Sequence, residues 1–134
     1  MPPIGVEVML RVVSALALFD ADGRVLLQRR PDGREMSGFW EFPGGKVQEG
    51  ETPEEALVRE IGEELGLSLV LSCLSPFSFV SYSRGGGHFL ILLYVCREWG
   101  GVPRGLEGQE TRWVRLSEAR DLRLLPANDS LLAA

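Results

Sequence analysis

The sequence predicts an α/β fold built on a mixed β-sheet, and three observations carry that expectation. Thr52 to Gly66 carries the start and stop signals of one amphipathic helix. Val8 to Phe19 is a valine- and leucine-rich apolar run, as a strand buried on both faces requires. Leu69 to Ser83 and His88 to Arg97 flank a glycine-rich turn, the pattern of a hairpin. Strands and helices are intermixed along the chain, which favours a mixed sheet over separate all-α or all-β units. With 134 residues and 45% hydrophobic content, residues 1–134 fit a single domain with a genuine core.

The remaining elements follow in chain order. Asp22-Gly23 signals a turn after the first strand, and Val25 to Arg30 is expected to be a second strand paired with the first. Pro31 to Gly38 is polar and loop-like, and the aromatic run Phe39 to Phe42 ends at Pro43-Gly44-Gly45. In the helix, Thr52 is the N-cap, Pro53 suits the first helical position, Glu55 completes a capping box and Gly66 terminates it. Leu57, Val58, Ile61 and Leu65 form its apolar stripe, with Glu60, Glu63 and Glu64 spanning about 100° of arc beside it. Pro76 is expected to interrupt the strand after the helix. Gly100 to Gln109 is a loop, Thr111 to Arg115 a short strand, Ser117 the cap of a short helix, and Pro126 the start of a final helical turn.

Composition excludes several classes. No stretch approaches the roughly 18 consecutive apolar residues of a membrane span. Ala15-Leu16-Ala17 mimics a signal-peptidase site, but Glu7 and Arg11 precede it and a turn follows, so a buried strand explains it better. Cys73 and Cys96 lack metal-ligand spacing and lie in apolar runs. They are expected to be reduced core residues of a cytoplasmic protein, with a disulfide between them left open. Thirteen of the fourteen bases are arginine, the lone lysine is Lys46, and no basic block points to a nucleic-acid polymer.

The net charge of -5 is concentrated in one place. Glu49 to Glu64 holds seven acids and one base, Arg59, while the rest of the chain balances 12 acids against 13 bases. A solvated helix face tolerates such clustering, since like charges at i,i+4 cost only about 0.2–0.5 kcal/mol per pair. Three details point elsewhere. No lysine neutralises the cluster, Gly62 weakens the helix by about 1 kcal/mol relative to alanine, and a glycine-rich loop, Gly44-Gly45, feeds directly into it. Hard oxygen ligands at i, i+3 and i+4 suit Mg²⁺ or Mn²⁺ beside substrate phosphates. The two glycines allow the backbone to approach such a site closely.

Gly45 through Leu67, G-K-V-Q-E-G-E-T-P-E-E-A-L-V-R-E-I-G-E-E-L-G-L, resembles the Nudix box G-x5-E-x7-R-E-U-x-E-E-x-G-U (U is a bulky aliphatic) at each of its defined positions. That resemblance implies an α/β/α sandwich that uses divalent metal to hydrolyse nucleoside diphosphates linked to another group. It implies metal ligation by Glu60, Glu63 and Glu64 with the carbonyl of Gly44. Arg59 would orient a catalytic glutamate, and Glu51 would support the loop–helix junction. On an isolated helix, Arg59 would equally form a surface pair with Glu63.

The flanks are similar to the MutT-type 8-oxo-dGTP diphosphatases over nearly the whole chain: Q-R-R at 28–30, E-F-P-G-G-K at 41–46, L-E-G-Q-E at 106–110 and P-A-N at 126–128. The likeness implies that Asn128 reads the purine, Phe42 packs beside it, and Arg30 and Lys46 contact the nucleotide. Glu107 would be a further metal ligand or the base that activates water. Bland alternatives stand beside these roles: a cap for Asn128, core for Phe42 and a solvated strand end for Arg29 and Arg30. His88 is expected to be a structural strand residue, and Arg84 can supply a contact that Gly87 lacks. The implied activity is conversion of a nucleoside triphosphate to a monophosphate and pyrophosphate, with Mg²⁺ as cofactor and Mn²⁺ as substitute. The implied partner is a small nucleotide, with the chain a monomer or homodimer. Cytidine nucleotides are the alternative substrate, although relatives preferring them carry P-A-D, and a sensing module that binds without hydrolysis is the alternative class.

Overall fold

Alternation along each strand divides the buried side chains into two cores, one on either side of the strand layer. In β1 (Leu10–Leu18), Ala15 and Ala17 enter one core, whereas Leu16 and Leu18 enter the other. Likewise β2 (Val25–Arg29) sends Val25 and Leu27 one way and Leu26 the opposite way. This is the period-2 geometry of a strand covered on both faces. The computed structural model describes residues 10–33 and 35–124.

The first sheet has the order β4-β1-β7-β6, formed by β4 (Gly44–Lys46), β6 (Ser75–Arg84) and β7 (Gly87–Cys96) with β1. β1 runs parallel to β7 from Leu10↔His88 to Leu18↔Cys96 and antiparallel to β4, so the sheet is mixed. β6 and β7 form the expected antiparallel hairpin. The second sheet, β3-β2-β9, joins β3 (Trp40–Glu41) and β9 (Glu110–Val114) to β2. A short ladder pairs β5 (Ser68–Leu69) with β8 (Trp99–Gly100).

Helix α1 (Pro53–Leu65) covers one face and buries Ala56, Leu57, Ile61 and Leu65 against it. Its local signals operate as the sequence implies. Thr52 Oγ1 accepts from the Glu55 N–H, the Glu55 carboxylate accepts from the Thr52 N–H, and Gly66 adopts the left-handed conformation at φ 69°. Ser14, fully buried in β1, donates its hydroxyl to the Pro53 carbonyl at 2.7 Å, and Tyr94 on β7 donates to Glu54 at 2.9 Å. These two bonds fix the start of α1 over the sheet. The opposite core takes in Ala119 of α2 (Leu116–Ala119) together with Leu122 and Leu124.

Four expectations are corrected. β2 does not form a ladder with β1; it pairs with β3 and β9, and only a Phe19↔Val25 bridge joins the neighbouring strands. Adjacency in sequence is a weak guide once a distant strand offers a longer ladder, and β7 takes that place beside β1. Gly44-Gly45 is strand rather than loop, held antiparallel to Ala15 and Ser14. The break after the helix falls at a 3₁₀ turn, Leu71–Cys73, while Pro76 lies within β6 beside a register shift. α2 begins after Arg115 with no side-chain cap, and Ser117 lies inside it. Cys73 and Cys96 are both free thiols. Among the described residues, no helix is long and apolar enough to cross a membrane. The expected helical turn at Pro126 lies outside the described residues.

Candidate active site

Close backbone approach creates the site. β4 lies so tightly against β1 that a Cβ on Gly44 would fall 2.9 Å from Ala15 Cα. A Cβ on Gly45 would fall 2.6 Å from Glu60 Oε2. Real side chains do not tolerate such contacts, so the Gly-Gly pair is what allows the Glu60 carboxylate to lie over β4.

Arg59 organises the start of this acidic surface. Its Nη2 and Nε donate to the two Glu51 oxygens at 2.7 and 3.1 Å, Nη1 donates to Glu60 Oε1 at 2.8 Å, and Nη2 also reaches the Lys46 carbonyl at 3.2 Å. The planar fork makes these charge-assisted bonds simultaneously, which a lysine cannot do. Glu51 also accepts from the Gln48 N–H at 2.8 Å, so it ties the β4–α1 connection to the helix. The bonds from Arg59 hold the Glu51 carboxyl below its ordinary range, and Glu51 in turn raises the Arg59 pKa.

Glu64 occupies the opposite electrostatic extreme. One of its carboxylate oxygens is buried with no hydrogen-bond partner. Burial first, then the neighbouring carboxylates of Glu60, Glu107 and Glu41, push its pKa up to about 8. The metal-free folded chain therefore keeps a proton that an unfolded chain, at the ordinary 4.5, has released. Metal-free stability is expected to fall as pH rises from 4.5 to about 8 and then level off. Glu64→Gln keeps the shape and removes the ionisation, so the melting temperature of this variant should lack most of that decline. An unchanged decline across the same range would place the destabilising charge elsewhere.

The residues meet in a cleft of about 1240 Å³. Its acidic end is lined by Gly44, Gly45, Glu60, Glu64 and Glu107, with Lys46 beside them. Its other end holds Arg84 and the Tyr82 and Phe89 rings, which stack at 5.3 Å with a 14° interplanar angle. Arg30 and Phe42 also line the cleft. Arg30 forms a two-point pair with Glu41 at 3.0 and 3.3 Å and donates to the Glu35 carbonyl at 3.1 Å. Phe42 is at once a wall of the cleft and a buried core residue. Arg84 is paired with Glu35.

Not every expected residue converges. The Glu63 side chain is 61% exposed, faces Arg59 at 3.5 Å and does not line the cleft. Among the described residues, no three acidic, histidine or cysteine side chains stand ready as a complete cation site. The donor chemistry nevertheless fits a hard cation: carboxylates, a backbone carbonyl, and a buried oxygen with nothing to satisfy it. Glu63 joins such a set only by leaving Arg59. His88 bonds Ser81 and Ser83 across the β6–β7 hairpin, in keeping with a structural strand residue. Asn128 lies outside the described residues.

Two polar residues at the site had no role assigned from the sequence. Gln28 on β2 and Gln109 before β9 are both buried, and they bond each other at 3.4 Å behind Glu64. The available signal was a glutamine closing the otherwise apolar run V-L-L-Q. A buried amide needs a partner, and that partner is 81 residues away.

The chain is similar to known proteins over nearly its whole length. The NUDIX domain family model matches residues 9–134. An 8-oxo-dGTP diphosphatase of Haemophilus influenzae is 39% identical over 111 residues, covering 82% of this chain and 79% of the relative. A CTP pyrophosphohydrolase of Escherichia coli is 35% identical over 129 residues, covering 94% of this chain and 90% of the relative. Among solved structures, a MutT NUDIX hydrolase from Burkholderia pseudomallei superposes with a TM-score of 0.79 at 31% identity, covering 93% of this chain and 97% of that one.

Proposed function

The chain belongs to the NUDIX family of hydrolases, and from that premise we propose that it is a Mg²⁺-dependent nucleoside triphosphate pyrophosphohydrolase, with 8-oxo-dGTP as its main substrate. The observation that carries the reading is the buried, unpartnered Glu64 oxygen, set among Glu60 and Glu107 at the acidic end of the cleft. A lone buried carboxylate beside like charges is costly, and a divalent cation is the ligand that removes the cost.

Glu60, Glu63, Glu64 and Glu107, with the Gly44 carbonyl, would hold the cation. Bound there, Mg²⁺ supplies charge neutralisation on phosphate oxygens and acidifies a water molecule. The chain's own residues do the rest. Arg59 fixes the direction of the Glu60 carboxylate, and Glu51 fixes Arg59. Glu60 or Glu107 would take the proton from the attacking water, whose oxygen adds to the β-phosphorus as the bond from that phosphorus to the bridging oxygen breaks. The nucleoside monophosphate departs with the bridging oxygen, and the water's oxygen is retained in pyrophosphate. Lys46 and Arg30 add positive charge along the cleft, and Phe42 supplies an apolar wall for a base. The nucleotide pool such an enzyme would cleanse, preventing mutagenic incorporation, places its work in the cytoplasm.

A second reading, (d)CTP hydrolysis, is favoured by the CTP pyrophosphohydrolase relative, whose likeness extends over 94% of this chain. Asn128 favours the oxidised purine, because its amide offers a donor and an acceptor to such a base. Parallel kcat/KM values for 8-oxo-dGTP, dCTP and ADP-ribose test the choice. We expect 8-oxo-dGTP to lead, and Asn128→Ala to lower its kcat/KM by at least about tenfold, the loss for a polar group left unpaired. An equal loss for dCTP would remove Asn128 from base reading.

A further inference from the structure

The loop before β9 is the cap of helix α1 as well as the carrier of Glu107. The last carbonyls of a helix lack intrahelical partners. Here the loop supplies them: the Arg104 N–H donates to the Leu65 carbonyl at 3.0 Å, and the Leu106 N–H to the Glu64 carbonyl at 3.0 Å. Gln109 completes the docking. Its Nε2 donates to the Glu64 carbonyl at 2.9 Å and to Gln28 Oε1 at 3.4 Å, while its Oε1 accepts from the Glu107 N–H at 2.8 Å. With both ends of the amide engaged, only one orientation satisfies it. A Cβ on Gly105 would run into the Gln109 backbone carbonyl, so glycine is what lets the loop close against Gln109. Gln28 lines the same cleft as the Glu64 carboxylate.

We propose that Gln109, backed by Gln28, is a positioning residue that sets the spacing between Glu64 and Glu107. The inference rests on the reading of those two glutamates as cation ligands. Its physical content is independent of that reading: one buried amide links the backbone of one glutamate to the backbone of the other. A tether of this kind fixes a ligand that otherwise rides on a glycine-rich surface loop, and such supporting contacts govern affinity and rate together.

Gln109→Met keeps the volume and removes both hydrogen-bonding ends. Amide exchange should then speed up at Glu107 by at least about tenfold. The affinity for Mn²⁺ alone, followed by the resonance of the free ion, should weaken, and kcat should fall, by about 10–100-fold. KM should change by less than about threefold, because the nucleotide's own contacts are untouched. Gln28→Met leaves the Glu107 tether in place. It should preserve Glu107 protection yet weaken Mn²⁺ by up to about tenfold, and it carries the test if Gln109→Met fails to fold. Wild-type exchange, Mn²⁺ affinity and kcat in Gln109→Met, or a wild-type Mn²⁺ affinity in Gln28→Met, would overturn the proposal. A wild-type chain that binds no Mn²⁺ would instead sink the cation-site reading, while amide exchange still decides whether Gln109 holds the loop.

Discussion

Glu60→Gln is expected to lower kcat for 8-oxo-dGTP by about 10³-fold, in the middle of the range for losing a catalytic proton acceptor. The substitution is almost isosteric. A glutamine oxygen can still accept from Arg59 Nη1, where Glu60 Oε1 now sits at 2.8 Å. The neighbouring Gly45 leaves the space the amide needs. Helix α1 buries its other face, through Leu57, Ile61 and Leu65, so the fold has no reason to change. Far-ultraviolet circular dichroism and the melting temperature should match wild type within a few degrees, while the pyrophosphate-release rate collapses. Wild-type-like turnover under saturating Mg²⁺ would take the catalytic role from Glu60.

Arg59→Met is expected to have the second-largest effect, and to act on rate and stability together. Methionine fills much of the same volume but removes the fork that joins Glu51, Glu60 and the Lys46 carbonyl. Glu60 then loses its fixed direction, and Glu51 and Glu60 lose the positive charge bonded to both. We expect kcat to fall by about 10–100-fold, the usual effect of losing a supporting contact. The melting temperature should fall at neutral pH, because the hydrogen bonds from Arg59 to charged partners are lost. The stability loss carries a pH signature. Glu51 has a folded pKa below its ordinary 4.5, so its bonds to Arg59 stabilise the fold above that value and are lost as pH falls through the depressed one. The gap between wild-type and variant melting temperatures should therefore narrow below about pH 4.5. A gap constant down to acid pH would mean that the ion pair contributes nothing.

The parts of this molecule that could be read from sequence are those whose causes are local. The Thr52 cap, the Glu55 capping box and the Gly66 terminator lie within one segment, and all three operate as expected. Arg59 and Glu60 are neighbours on the same helix, and Glu51 is a short connection away. The parallel pairing of β1 with β7 was not legible, because a buried apolar run says that a strand has neighbours without saying which. Assigning β2 to β1 failed for that reason. The glycine pair was read as a loop because its strand character comes from β1, not from its own side chains. Gln28 and Gln109 stand in recognisable motifs, but their roles exist only once the loop reaches the end of α1. Glu63 shows the converse. Helical spacing put it beside Glu60 and Glu64, but the Arg59 guanidinium draws its side chain away from the cleft.

On the function proposed, the acidic end of the cleft is a cation-dependent site for breaking a phosphoric anhydride bond. The direct test is pyrophosphate release from 8-oxo-dGTP by the intact chain, with saturating Mg²⁺ and again with the cation removed by chelation. Steady release is expected, with 8-oxo-dGMP as the other product, abolished by chelation and restored when Mg²⁺ is returned. Tight nucleotide binding with no pyrophosphate released, or release indifferent to chelation, would contradict it.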